Sequence, residues 1–200
     1  MAAVPLTTWH LRMTDRPAPS NDAADGRLTV SQAMTPNPAL NRFFYFGVGS
    51  DWLWRTRRTW TWADWESKIS APGYQTWVGS FSGSPAGYFE LDATDPTNVE
   101  IVYFGLLPVF IGAGLGQPFI GCCLDAAWSN PNTERVWLHT CSFDHERALP
   151  NYLNAGFEIE RTTDEVEQID DVPFEPWPDS GRLPRTTIRD HLDQQRATRQ

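Results

Sequence analysis

Along the chain the apolar positions change period several times, and each change predicts an element. Residues 4–13, VPLTTWHLRM, alternate roughly apolar and polar and predict a strand. The polar stretch 14–27, rich in Pro, Asp and Ala, predicts a loop. Helical spacing begins after Pro36 or Pro38, with Leu40, Phe43, Phe44 and Phe46 on one apolar side. Residues 47–60 read as a turn-rich connection, and 61–69 as a short helix that starts near Thr61 or Asp64. From Tyr74 the period falls to two. The segments 74–81, 84–93 and 98–107 predict strands, and the tight connections SFSGSP and TDPTN predict an antiparallel meander. Phe119, Ile120, Cys123, Leu124, Ala127 and Trp128 then recur at helical spacing, with Pro118 in the first turn, where N–H groups lack intrahelical partners. A strand at 135–141, a helix at 144–156 and a strand at 157–163 complete the pattern. For that helix the sequence predicts Asp144 as cap, Pro150 as a bend and Gly156 as stop. Residues 164–200 are acidic and Pro-rich, then Arg/Gln-rich, and read as a tail, packed on the domain or partly disordered. Together these elements predict a single mixed α/β domain.

Composition narrows the function. Two hundred residues with 40% hydrophobic and 13% aromatic content suit one folded domain with a core of ordinary size. A formal charge of −9 argues against nucleic acid as a partner, because displacing condensed counterions needs a basic surface. No apolar run approaches the ~20 residues of a membrane span, and MAAVPLTTWHLRM lacks the layout of a secretion signal. Cys122, Cys123 and Cys141 match neither a metal-ligand spacing nor a disulfide framework, so the expected compartment is a reducing cytoplasm and no metal is expected.

The chemistry concentrates in FGLLPVFIGAGLGQPFIGCCLDAAW, residues 104–128, where a strand passes through Gly112, Gly114 and Gly116 into a helix. A helix N-terminus presents unpaired N–H groups and a partial positive charge, so it holds an anion without a basic side chain. Glycines let the backbone approach a phosphate closely. A dinucleotide fingerprint fails because Gln117 stands where a helix-packing glycine belongs, and no Gly-Lys-Ser/Thr follows for a nucleotide triphosphate.

The glycine half of this loop, IGAGLG, resembles the signature of the GNAT (GCN5-related) N-acetyltransferase family, Arg/Gln-x-x-Gly-x-Gly/Ala between a strand and a helix. The resemblance continues in DHERALPNYLNAGF, where Ala148, Tyr152, Gly156 and Phe157 match a later helix pattern of the family, and it covers residues 4–163. It implies an α/β (α+β) fold of GNAT type. That fold has a mixed central sheet of six to seven strands, helices on both faces and a splayed strand pair holding the cofactor. It also implies a domain over residues 1–163, with 164–200 as an extension. The implied cofactor is acetyl-CoA, held by Ile111, Gly112, Ala113, Gly114, Leu115, Gly116 and Gln117. Ile111 and Gln117 depart from the family's usual basic or amide residues, which leaves backbone amides to hold the pyrophosphate. His145 stands where many relatives have Asn, and Arg147 and Arg135 both remain open as partners of the outlying phosphate.

In such a fold the strands 98–107 and 135–141 splay, and a backbone N–H near Leu106 or Leu107 polarises the thioester carbonyl as the amine attacks. Transfer is direct, so the cysteines are not expected as nucleophiles. Glu100 is the candidate base, at the start of the strand that feeds the loop. If the preceding hairpin closes in simple register, Glu90 faces Glu100, and two opposed carboxylates raise one pKa. His139 is a second candidate base and Tyr152 the candidate acid for the departing thiolate.

Trp52, Trp54, Trp60, Trp62 and Trp65 crowd the connection that forms the acceptor side in this family, and aromatic faces near carboxylates such as Glu90 suit a cationic amine. Arg55, Arg57 and Arg58 equally suit an acceptor carrying a carboxylate. The expectation is an acetyl-CoA-dependent N-acetyltransferase acting on a small-molecule primary amine, a homodimer being compatible with the resemblance. The alternatives are a non-catalytic acyl-CoA-binding or sensor module and a protein acetyltransferase acting on lysine or an N-terminus.

Overall fold

The computed structural model describes residues 2–19 and 26–169. A seven-stranded sheet in the order β2-β3-β4-β5-β6-β1-β7 carries helices on both faces. The strands are β1 (Ala2–Met13), β2 (Leu28–Gln32), β3 (Tyr74–Phe81), β4 (Ser84–Asp92), β5 (Asn98–Leu106), β6 (Arg135–Cys141) and β7 (Glu158–Ile169). The helices are α1 (Pro38–Gly49), α2 (Trp62–Ile69), α3 (Gly116–Ala127) and α4 (Ala148–Asn154). Every neighbouring pair is antiparallel except β5 and β6, which are parallel and register over three pairs only, Asn98–Arg135, Val99–Val136 and Glu100–Trp137. Beyond Glu100 and Trp137 the two strands part.

Local chemistry explains the helix boundaries. Asn37 caps α1 by accepting the Leu40 N–H, with Pro38 at a position that needs no donor. Thr61 and Asp64 form a reciprocal capping box at the start of α2. Gly156 ends the α4 region with φ of +99°, a left-handed geometry that glycine adopts without strain. Asp144, expected as the α4 cap, does not perform that role. Its Oδ2 accepts from the Cys141 N–H at 2.9 Å and the Thr140 hydroxyl at 2.6 Å, and α4 begins later, after Arg147, without a side-chain cap.

The main core packs α3 against one face of the sheet, with Phe89, Leu91, Val99, Ile101, Phe119, Ile120, Val136 and Leu138 at its centre. Phe44, Val48, Tyr88, Tyr45, Phe46 and Trp65 fill smaller clusters under α1 and α2 on the other face. The inner side of α1 differs from the expected stripe: Phe43 is half exposed, while Asn41 is buried because its amide donates to Thr76 at 2.8 Å and to Glu90 at 2.7 Å.

Four features depart from the sequence reading. The strand β2 pairs with β3 where a loop and the approach to a helix were expected. The last strand continues past residue 163 to Ile169, all of it paired with β1, while residues 170–200 lie outside the described part. The third departure is a bulge in β5. Tyr103 opposes Glu90 and Ile101 opposes Leu91, so Val102 has no partner on β4. Val99 and Ile101 therefore face α3, but after the extra residue it is Phe104 and Leu106 that do so, and Tyr103 turns to the α1 face. The fourth follows from that register: Glu100 pairs with Asp92, and Glu90 lies opposite Tyr103.

Candidate active site

Where β5 and β6 part, a cavity of about 1060 Å³ crosses the sheet. On the α3 face it is bounded by Ile111, Gly112, Gly114, Leu115, Gly116 and Gln117 of the glycine loop, and by Asn151 and Tyr152 of α4. On the α1 face it is bounded by Val48, by residues 52–56, by Tyr103 and Gly105 of β5, and by Leu6, Thr8, His139 and Cys141. Thr8 registers with Cys141, and His10 with His139, which puts all four side chains on one face of the β1–β6 pair.

The glycine loop has the geometry of an anion cradle. Gly112 and Gly114 both have φ of +80°, and a Cβ built on either meets nothing within 4 Å, so the loop is open toward the cavity. No side chain caps the N-terminus of α3, which leaves the Gly116 and Gln117 amides facing the loop. The Gln117 side-chain amide is engaged with Asn151, its Nε2 donating to the Asn151 backbone carbonyl at 3.2 Å. Ala113, expected to bind cofactor, instead packs against the main core beside Phe110 and does not line the cavity. Of the two arginines open as partners of an outlying phosphate, Arg135 is tied to Asn98 and Glu160, whereas Arg147 borders the cavity.

The strand parting supplies backbone donors. The Leu107 N–H is given to the Ala86 carbonyl at 2.8 Å and Leu107 lies off the cavity, so this amide is not presented to the gap. Antiparallel ladders alternate, so the N–H and C=O of Leu106, the neighbouring residue, point away from β4 and toward the gap left by β6. Leu106 lines the cavity there and, with Phe104 two residues earlier, presents a backbone N–H to the gap.

The expected catalytic side chains divide by position. Tyr152 is buried in the cavity wall between Phe104 and Phe157, and burial first, then the charge of Asp144, pushes its hydroxyl pKa far up, so it remains a proton donor. His139 is half exposed on the α1 side of the wall. Behind it, Glu100 places a carboxylate oxygen 4.0 Å from the His139 Nδ1. Burial raises the Glu100 pKa, and Asp92, its partner across the ladder, adds to the effect. The expected carboxylate pairing thus exists, with Asp92 in place of Glu90.

Glu90, expected on the acceptor side, does not reach the cavity. It is fully buried under α1, off the cavity, with the Arg57 Nη1 2.7 Å from its Oε2 and Asn41 and Tyr74 donating to it as well. The Arg57 guanidinium is stacked among aromatic rings, 4.5 Å from the centroids of both Trp60 and Tyr103 and 5.3 Å from that of Trp65. This accounts for much of the tryptophan cluster: Trp60 and Trp65 hold the arginine, Trp62 is exposed, and only Trp52 and Trp54 reach the cavity. Trp54 packs on Tyr103 with ring centroids 4.7 Å apart and donates from its indole to Asp144 at 3.4 Å. Trp52 meets the ring of His145, whose Nδ1 accepts from the Arg147 N–H at 3.0 Å. Cys141 lines the wall with its thiol pKa raised by burial, and Cys123 is buried in the core with its thiol pKa raised likewise, so both are protonated thiols.

Sequence reasoning missed Tyr103, Thr56 and the Arg55–Glu167 ion pair at 2.7 Å, all at the cavity. The aromatic character of β5 pointed toward Tyr103, but its face was hidden by the bulge.

No protein-family model matches the chain, and no curated protein does. Solved structures match over most of the chain. A GCN5-related N-acetyltransferase from Sphaerobacter thermophilus aligns at TM-score 0.61 with 14% identity, over 82% of this chain and 53% of that one. Another from Kribbella flavida aligns at TM-score 0.53 with 13% identity, over 92% and 62%. An aminoglycoside acetyltransferase from an uncultured soil metagenomic sample aligns at 0.55 with 11% identity, over 75% and 97%. The chain thus spans less than two-thirds of the length of the first two. It has the GCN5-related N-acetyltransferase fold, and the resemblance read in the sequence holds at that level. Among the described residues no helix is long and apolar enough to cross a membrane.

Proposed function

We propose that the protein is an acetyl-CoA-dependent N-acetyltransferase that transfers an acetyl group directly to a small primary amine. The observation that carries this reading is a cavity crossing the sheet at the parting of β5 and β6, with an anion cradle on one face and an aromatic pocket on the other. The amides of Gly112, Gly114, Gly116 and Gln117 would hold the pyrophosphate, and the pantetheine arm would lie along the free edge of β5. When bound, the cofactor supplies a thioester, whose carbonyl oxygen the Leu106 N–H is placed to polarise. An ammonium arriving from the α1 face gives up its proton to His139, which stands at the wall, with the Glu100 carboxylate behind it stabilising the imidazolium. Tyr152 would give its proton to the departing sulfur and be restored by the second proton that the acylated nitrogen loses; its raised pKa keeps it protonated beforehand.

The reading is tested by thiol release from acetyl-CoA across an amine panel, with calorimetry of coenzyme A binding alongside. Amine-dependent release is expected, and Tyr152→Phe should lower kcat by roughly a hundredfold while leaving the coenzyme A affinity unchanged. Coenzyme A binding without release from any amine would instead support a non-catalytic acyl-CoA sensor.

A further inference from the structure

The α1 half of the cavity carries a second message, in how its charges are already spent. Besides the Tyr103 hydroxyl and the Cys141 thiol, the charged or titratable side chains lining that half are Arg55, Glu167 and His139. Arg55 is paired with Glu167 at 2.7 Å and donates to the Gln168 carbonyl at 3.0 Å. Behind the wall, Arg57 is buried against Glu90, and Lys68 is bound to Asp92 at 2.9 Å. Asp144, at the junction of the two halves, accepts from Thr140, the Cys141 N–H and Trp54. The Tyr103 hydroxyl is bonded to Thr56 at 2.8 Å. The remaining surface is apolar and aromatic, formed by Leu6, Val48, Leu53, Trp54 and Tyr103.

We infer that the acceptor is a monoamine with an apolar, aromatic-sized body, and that polycationic amines and amino acids are rejected; the inference rests on the transferase reading above. One ammonium is served, because His139 and Glu100 stand together at the parting of the strands and the Trp54–Tyr103 corner offers ring faces to a cation. Away from Glu146, in the turn before α4, a second ammonium on the α1 half meets Glu167, which is already paired with Arg55, and an acceptor carboxylate has to displace Glu167 from Arg55. Either leaves a charge desolvated and unpaired, which costs far more than a misplaced methylene. The apolar body gains by burial against the same walls.

The test uses the full chain with acetyl-CoA and measures kcat/KM for 2-phenylethylamine, spermidine and β-alanine. The wild type should favour 2-phenylethylamine over the other two by roughly a hundredfold or more. Arg55→Ala, which removes a half-buried pair at the cavity rim, unmasks Glu167 and should narrow the spermidine gap by about tenfold. A wild type that prefers spermidine or β-alanine would overturn the inference and leave the transferase standing. An unchanged ratio in Arg55→Ala would also count against it. Absence of thiol release with every amine would remove the transferase reading itself, and the inference with it.

Discussion

Substituting Glu90→Gln should expose how the α1-side wall of the cavity is held. The side chain keeps its shape but loses its charge, and Arg57 is left as a cation only 3% exposed, surrounded by Trp60, Trp65 and Tyr103. At the observed 2.7 Å separation, two unit charges in a protein-like dielectric attract by roughly 6 kcal/mol. In the wild type that attraction offsets a desolvation cost of several kcal/mol per ion, so the pair contributes little net stability. Removing one partner leaves the cost without the compensation, and the expected loss is about 3–5 kcal/mol. For a domain of this size that lowers Tm by roughly 10 °C. Urea denaturation followed by tryptophan fluorescence reads the loss directly. The double variant Arg57→Met/Glu90→Leu, which removes both charges, should recover most of it. Because Arg57 stacks on Tyr103 at the cavity wall, Glu90→Gln should also raise the amine KM more than it lowers kcat. A single variant within about 1 kcal/mol of wild type, or a double variant no better than the single one, would refute the argument.

Two further outcomes follow from the site. Gly114→Ala places a Cβ at φ of +80°, which costs about 1–2 kcal/mol of backbone strain; calorimetry should show coenzyme A affinity falling by roughly tenfold, and unchanged affinity would count against the cradle. For Glu100, a folded-state pKa raised by burial and Asp92 means that the native protein binds this proton more tightly than the unfolded chain does, so its contribution to stability falls as pH rises from the unfolded toward the folded value. Glu100→Gln should therefore raise Tm at neutral pH, lose that advantage below pH about 4, and lower kcat/KM; a Tm gain that persists at acid pH would contradict the assignment.

The strands β3 and β6 lie where alternation placed them, because each presents β-branched and aromatic residues between clear turn signals. The strand β2 escaped because LTVSQ is a five-residue edge strand with a single buried position, Leu28, and its pairing depends on β3 far along the chain. Glu90 was misplaced for a similar reason. Its partners Arg57, Asn41 and Tyr74 are tertiary neighbours, and the register that turns it to the α1 face depends on the unpaired Val102, which has no turn signature. Asp144 carries the composition of a helix cap yet serves the end of β6, since the same short acceptor satisfies N–H groups on either side. The glycine loop was legible because left-handed backbone at a strand–helix junction nearly requires that residue, whereas Tyr103 and the Arg55–Glu167 pair arise only when distant strands meet.

The parting of β5 and β6 also makes a mechanical seam. Strands β2 to β5 form one leaf of the sheet and β6, β1 and β7 the other, and the backbone stitching between the leaves is three register pairs at one end. Beyond Glu100 and Trp137 no ladder hydrogen bond joins the leaves, so opening of the slot is resisted there by side-chain contacts alone, the shared packing on α3 and the Glu100–His139 approach among them. Slot width is then a soft coordinate of the molecule, and anything lying across it from one leaf to the other works as a brace. Amides along the free edge of β5 should therefore be among the first in the sheet to exchange with solvent.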